Sequence, residues 1–329
     1  MVGLHDVAKL SGVSKSTVSR VINNEYGVKK STKEKVQKAI DECGYVANQV
    51  ARDLKSNKTH LIGVIVPRIS SNATARGLDG LSPIIEQADK HVLLANSEQD
   101  NVKEIEYIKR FNQKRVEGIL LYATHLDADL VDAIKQSVAP VVLIGQDGSL
   151  FNIPSIIYDD ISVGFTAGKR LIESGAKNIG FIGVNSQDVA VDQCRFQGLT
   201  QYLLHAKQIK PLFHSRGEFS IESGFEQAKQ LLIDWPQLDG LFCATDRIAI
   251  GAMRAVTEAN KVPGKDIKII GVGNDELSQV CTPSLSTFNY SFDLTGKKAA
   301  QMLLELIKNN QPEVSKMVMG YDNIYRESC

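Results

Sequence analysis

The chain is predicted to fold as a small all-α N-terminal module followed by an α/β body of two doubly wound parallel-sheet lobes. Three observations carry this. Residues 4–24, LHDVAKLSGVSKSTVSRVINN, fit two short helices joined by a glycine turn. From Leu61 onward, short β-rich apolar runs alternate with amphipathic helical stretches, the pattern of βαβ units. Charge divides at the same boundary. Residues 1–58 hold 11 Lys and Arg against 6 Asp and Glu, a net of +5; the rest hold 27 against 32, a net of −5.

In the N-terminal segment, Asp6 and Ser14 can accept backbone N–H bonds and suit helix N-termini. Val7, Ala8 and Leu10 give the first helix an apolar face, and Gly12 sits where the turn needs a positive φ. Val13, Val18 and Val21 would pack the second helix on the first. That leaves Lys15, Ser16, Thr17, Ser19 and Arg20 outward, with no acid until Glu25. Hydroxyl and guanidinium donors on a helix of a helix-turn-helix suit a phosphate-lined major groove. Gly27 marks a loop. Ser31 and Thr32 then open a third helix carrying Val36, Ala39 and Ile40 at helical spacing. The module spans residues 1–46, and a core that small is marginal alone.

Residues 47–59 read as a hinge helix and linker. Asn48 can cap a helix over 49–54, too short to be stable by itself. Its apolar patch of Val50, Ala51 and Leu54, set among basic residues, suits pairing with a second copy and wedging between base steps.

The body, residues 60–329, has strand-like runs at 61–66, 91–96, 116–122, 139–145, 155–159, 178–184, 238–244 and 266–272. Helical patterns lie at 104–114, 160–174, 192–206, 222–234 and 247–260. That is too many strands for one ordinary sheet, so two lobes with a cleft between them are expected. Such folds bind ligands beyond the carboxyl ends of their strands.

Several function classes are excluded. No G-x-G-x-x-G loop follows an early strand, and neither a P-loop nor a G-x-S-x-G elbow occurs, so no enzyme is expected. The paired Asp159 and Asp160 are expected to cap a helix. The five cysteines are scattered, with no C-x-x-C pair and no His/Cys cluster of metal spacing. A reduced cytoplasmic protein without metal or cofactor is expected, with no signal peptide and no membrane span.

Residues 6–23, DVAKLSGVSKSTVSRVIN, resemble the headpiece of the lactose/galactose repressor family, which begins roughly D-V-A-x-x-A/S-G-V-S-x-x-T-V-S-R-V-x-N. The resemblance then runs through the whole chain. It implies a sequence-specific transcriptional repressor on a near-palindromic operator. Lys15, Ser16 and Arg20 would meet bases, and Leu54 would wedge into the minor groove. His5, Ser14, Thr17, Ser19, Asn23 and Thr32 would hold phosphates. The body is similar to the periplasmic-sugar-binding fold. Its first lobe would take about 60–158 plus 289–318, and its second about 159–288 plus 319–329, with crossovers near Asp159, Phe288 and Met319. The chain stops at Cys329 without a leucine heptad tail, so a homodimer is expected.

The resemblance also places an effector pocket at Arg68, Arg195, Phe219, Thr245, Asn274 and Tyr290. Thr245 would face the cleft and Asp246 would cap the next helix. Two departures bear on the ligand. Gly273 and Asn274 stand where relatives carry an acid, and Gly145-Gln146 replaces a second one. Arg68 adds a cation after the first strand. Losing carboxylates and gaining a cation favours an anionic effector, a sugar phosphate such as sucrose or trehalose 6-phosphate, and Arg68 is similar to the trehalose- and sucrose-operon repressor branch. The alternative is a regulator of the same framework whose DNA binding is enhanced by a corepressor or partner protein.

Overall fold

The computed structural model describes residues 3–23, 25–45, 59–185, 187–207, 212–308 and 314–329, in two compact units, Met1–Thr59 and His60–Cys329. The hinge segment with Leu54 lies outside the described residues.

The first unit holds α1 (Leu4–Ser11), α2 (Lys15–Ile22) and α3 (Lys30–Cys43). Gly12 closes α1 at φ 69° and Gly44 closes α3 at φ 63°, left-handed positions that glycine adopts without a Cβ penalty. Asp6 accepts the Gly3 N–H at 2.9 Å, holding the first turn of α1 from inside the helix. Ser14 caps α2 by accepting the Thr17 N–H at 3.2 Å. Val7, Ala8, Val18, Val36 and Ala39 form the buried core. Leu10 departs from expectation: it is 53% exposed, because the three-helix core closes over Val7 and Ala8 one turn earlier.

The second unit contains two six-stranded sheets. The first-lobe sheet is built of β1 (Leu61–Val66), β2 (His91–Asn96), β3 (Gly118–Tyr122), β4 (Val141–Ile144), β5 (Ser155–Tyr158) and β11 (Lys316–Met319). Its order is β11-β5-β4-β3-β1-β2 and every pair is parallel. Alternate residues of these strands bury against opposite faces. Ile62, Val64 and Leu120 pack under α4 (Asn72–Gln87) and α12 (Phe292–Ile307). Ile65, Ile119 and Leu121 pack under α5 (Asn101–Gln113) and α6 (Ala128–Lys135). Covering both faces is why these runs read as continuously apolar.

The second-lobe sheet is built of β6 (Ile179–Gly183), β7 (Phe213–Arg216), β8 (Gly240–Cys243), β9 (Lys268–Val272), β10 (Ser286–Tyr290) and β12 (Tyr321–Ile324), in the order β12-β10-β9-β8-β6-β7. Only β12 runs antiparallel to its neighbour among the described strands. Helices α7 (Asp160–Glu173), α8 (Arg195–His205), α9 (Ile221–Asp234) and α10 (Asp246–Glu258), with the short α11 (Leu277–Val280), complete this lobe. The chain passes between the sheets after Tyr158, after Tyr290 and after Met319.

Helices α7 and α8 meet at backbone distance. A Cβ on Gly164 would lie 2.0 Å from the Arg195 carbonyl oxygen, and one on Gly198 would lie 1.9 Å from the Ile161 carbonyl oxygen. No side chain fits there, so Gly164→Ala must push the two helices apart. It is expected to cost roughly 1–3 kcal/mol, read from urea unfolding; an unchanged midpoint would refute this contact.

One buried acid is only partly compensated. Glu104 in α5 is fully buried; its Oε1 takes the Ser97 hydroxyl at 3.4 Å, and its Oε2 has no partner among the described residues. Burial pushes its carboxyl from 4.5 up to about 8 against the pull of the Ser97 hydroxyl and the Thr124 backbone N–H. The folded chain therefore holds a proton that the unfolded chain releases, and stability falls as pH rises from 4.5 through about 8. Glu104→Gln removes this loss. Its melting temperature is expected to match the parent below pH 4.5 and to exceed it increasingly through the window, with a limiting slope of about 1.4 kcal/mol per pH unit. A pH-independent difference would contradict it.

Candidate functional site

In the first unit the candidate surface is the outer side of α2. Lys15, Ser16, Arg20 and Asn23 are exposed, and Thr17 and Ser19 are half-buried. Ser14 Oγ shares hydrogen bonds of 2.8 Å with both the Ser16 and Thr17 hydroxyls, which orders the N-terminal turn. No acid stands in that turn, so the positive end of the helix dipole and Lys15 act together. Arg20 lies 3.9 Å from Glu25, but both side chains are largely exposed and such a pair is weak. His5 is exposed on α1, and Thr32 is half-buried in the first turn of α3.

In the second unit a cleft encloses about 1110 Å³, part of it open to solvent. Its walls come from segments that follow strand carboxyl ends: Arg68 after β1, Gln146 after β4, Asp160 after β5, Phe219 after β7, Thr245 and Arg247 after β8, Asp275 after β9. Asp188 and Arg195 flank a π-helical turn, Val189–Cys194, after β6. π-Turns recur where side chains must be aimed at a site.

Arg195 is 5% exposed and much of its fork is already committed. Its Nε donates to Asp160 Oδ1 at 2.7 Å, and its Nη1 donates to the Ala244 carbonyl. Burial disfavours the Arg195 charge, but the neighbouring Asp160 carboxylate more than offsets this and holds the guanidinium pKa above its ordinary value. Tyr290 donates to the same Asp160 oxygen at 2.8 Å.

Arg68 is different. Its Nη1 donates to the Phe219 carbonyl at 2.9 Å and its guanidinium lies 4.4 Å over the Phe219 ring, so a first-lobe cation rests on a second-lobe aromatic. No carboxylate reaches ion-pair distance of it among the described residues. Burial, then the nearby Arg247, lower its pKa. Arg247 itself pairs with Asp275 at 3.3 Å.

Of the six expected effector residues, Arg68, Arg195, Phe219 and Thr245 line the cleft. Tyr290 and Asn274 do not. Tyr290 is fully buried behind the wall and serves Asp160. The Asn274 side-chain oxygen accepts from Arg326 at 2.8 Å, which engages it away from the cavity wall.

Other roles also differ from expectation. Thr245, not Asp246, caps α10, accepting the Ile248 N–H at 3.4 Å. Asp246 is buried and accepts from the Thr287 hydroxyl at 2.5 Å and the Asp275 N–H at 2.7 Å. Burial pushes its carboxyl up to about 7. Asp159 caps α7 through the Ser162 N–H at 3.2 Å, whereas Asp160 is the buried partner of Arg195.

The expected loss of carboxylates is offset from elsewhere, since Asp160, Asp188, Asp246 and Asp275 all line the cleft. Asp188 was the residue sequence reasoning missed most completely. It accepts from the Gln146 side-chain amide at 3.1 Å, from a residue 42 positions away in sequence, a pairing only the folded lobes create. Burial pushes its carboxyl up to about 6. Among the described residues no group of three or more His, Cys, Asp or Glu could hold a metal, and no helix is long and apolar enough to cross a membrane.

Comparison with known proteins finds matches for both units. Residues 3–48 match the bacterial regulatory proteins of the lacI family, and residues 169–329 match a periplasmic binding protein-like domain. The chain is 31% identical over 309 residues to the sucrose operon repressor of Staphylococcus xylosus, spanning 94% of this chain and 95% of that one. It is 30% identical over 328 residues to catabolite control protein A of Priestia megaterium, spanning 99% of each. The fold is similar to that of the Lac repressor dimer crystallised with operator and the anti-inducer ONPF, with a TM-score of 0.91, 27% identity, and coverage of 99% and 98%. Helical module and two-lobed body thus match along nearly their whole length, and the chain belongs to the lacI family of bacterial regulatory proteins.

Proposed function

We propose that this chain represses a sugar-utilisation operon by binding near-palindromic operator DNA as a homodimer, and that a sugar phosphate entering the cleft releases it. Lys15, Ser16 and Arg20 read bases, with Arg20 on a guanine. His5, Ser14, Thr17, Ser19, Asn23 and Thr32 hold phosphates and set register. Leu54 of each subunit wedges the centre of the site. Closing of the lobes on the effector separates the two hinge segments, and a coupling of about 1–3 kcal/mol changes operator affinity roughly 5–150-fold.

The observation that carries the effector class is Arg68, a half-buried guanidinium at the cleft with no carboxylate partner among the described residues and a second arginine nearby. Two guanidinium groups that repel each other are relieved by an anion between them. The similarity to a sucrose operon repressor supports a disaccharide-derived ligand. The similarity to catabolite control protein A supports the opposite sign, in which a second molecule strengthens DNA binding.

Two experiments test this. Calorimetric titration with sucrose, trehalose and their 6-phosphates is expected to show binding of a phosphorylated sugar, with Arg68→Gln weakening it roughly tenfold or more and leaving any unphosphorylated sugar unaffected. Equal or better binding of the unphosphorylated sugars overturns the effector class. Operator recovered by selection from random duplexes then gives the sign, because occupancy falls on adding the effector under this proposal and rises under the alternative. On the same operator, Leu54→Ala is expected to weaken specific binding by roughly 1–3 kcal/mol and nonspecific binding much less. An equal loss on both would remove the wedge.

A further inference from the structure

The cleft holds four carboxylates, and three are either ion-paired or bonded on both oxygens. Asp246 accepts on both oxygens, from Thr287 and from the Asp275 N–H. Asp275 does so from Arg247 and the Leu277 N–H. Asp160 takes both Arg195 and the Tyr290 hydroxyl on Oδ1, and its charge is neutralised by that arginine. Asp188 differs. Its Oδ1 accepts the Val191 N–H at 3.1 Å, capping the π-helical turn, and the Gln146 amide at 3.1 Å from the opposite lobe. Gln146 is fixed in turn by donating to the Thr124 carbonyl at 2.9 Å. Among the described residues Oδ2 accepts no hydrogen bond and no cation lies within ion-pair distance. Asp188 is 8% exposed and lines the cavity.

Resting on the sugar-ligand reading above, we infer that Asp188 is a specificity-determining residue whose Oδ2 accepts a hydrogen bond from one hydroxyl of the sugar, while Gln146 holds the carboxylate across the lobe boundary. A buried carboxylate with one oriented oxygen and one open oxygen selects a neutral donor and repels an anion. Arg68 lies in the same cavity and feels the Asp188 charge. The two therefore give the cleft a polarity, with the phosphate at Arg68 and a ring hydroxyl at Asp188, and the ligand enters one way round. An analogue lacking that hydroxyl leaves the carboxylate desolvated and unpaired, which is the arrangement that discriminates most strongly.

The test uses the full chain with sucrose, trehalose and their 6-phosphates, followed by monodeoxy analogues of whichever sugar binds. Asp188→Asn keeps the oxygen that caps the turn, and its thermal melt should match the parent; Asp188→Ser, which also retains an N-cap oxygen, is the second variant. Both are expected to weaken binding roughly 10- to 100-fold. One deoxy analogue should cost the parent a similar factor and cost the variants nothing further. Binding by the variants within twofold of the parent, or a deoxy penalty that persists in them, overturns the role of Asp188 while the sugar reading stands. Failure of the parent to bind any of the four sugars overturns both.

Discussion

The cleft depends on one buried ion pair. Asp160 begins α7 where the chain first crosses between lobes, Arg195 begins α8, Tyr290 ends the strand before the second crossing, and Ala244 directly follows β8. A single guanidinium–carboxylate contact of 2.7 Å, with Tyr290 on the carboxylate and the Ala244 carbonyl on the guanidinium, ties these four points together. Burying two charges costs more than their attraction returns unless the remaining donors and acceptors are met. Here the supporting bonds help meet them, and the close approach at Gly164 and Gly198 lets α7 and α8 come near enough. Movement of either crossover is therefore felt at the wall of the cleft.

The remaining charges of the cavity follow from that pairing. Once Asp160 takes Arg195, and Asp275 takes Arg247, Arg68 is left to a carbonyl and an aromatic face. Asp188 is left to an amide and a backbone N–H. The two unspent groups have opposite sign and share one cavity. Net charge alone would miss this, because the lining holds acids and bases in near balance. The distribution of partners, more than the count of charges, defines what ligand fits.

Much of this architecture was readable in the residues. Strand β1 coincides with the apolar run 61–66, because a β-branched stretch buried on both faces leaves little ambiguity, and the edge strand β2 coincides with 91–96 although most of it is only partly buried. The edge strands β7 and β12 did not announce themselves; FHSR and YDNI are short and polar, and pairing with a neighbour alone makes them strands. The exchange between Thr245 and Asp246 has a similar cause. Both residue types favour helix N-termini, and adjacent positions differ only in which side chain the sheet buries. Tyr290 looked like a ligand contact because it ends a strand at the cleft, yet the Asp160 carboxylate draws its hydroxyl inward. No local pattern marks Gln146 and Asp188 as partners, since their contact exists only where two lobes meet.

The helical module obeys a different balance. Among the described residues its core has five buried apolar side chains, two of them alanine, whereas each lobe buries a continuous sheet under helices on both sides. Burial is worth roughly 1.5–3 kcal/mol for a large aliphatic side chain, so the module has little stability to spare against the entropy of its own chain. A segment in that condition is sensitive to small biases. Under the proposed function, an effector that distinguishes two arrangements of the lobes by only about 1–3 kcal/mol has enough leverage, because it acts on a marginal element instead of a packed core. Under that proposal the two-lobed body senses the ligand, and the weakly stabilised end carries the response.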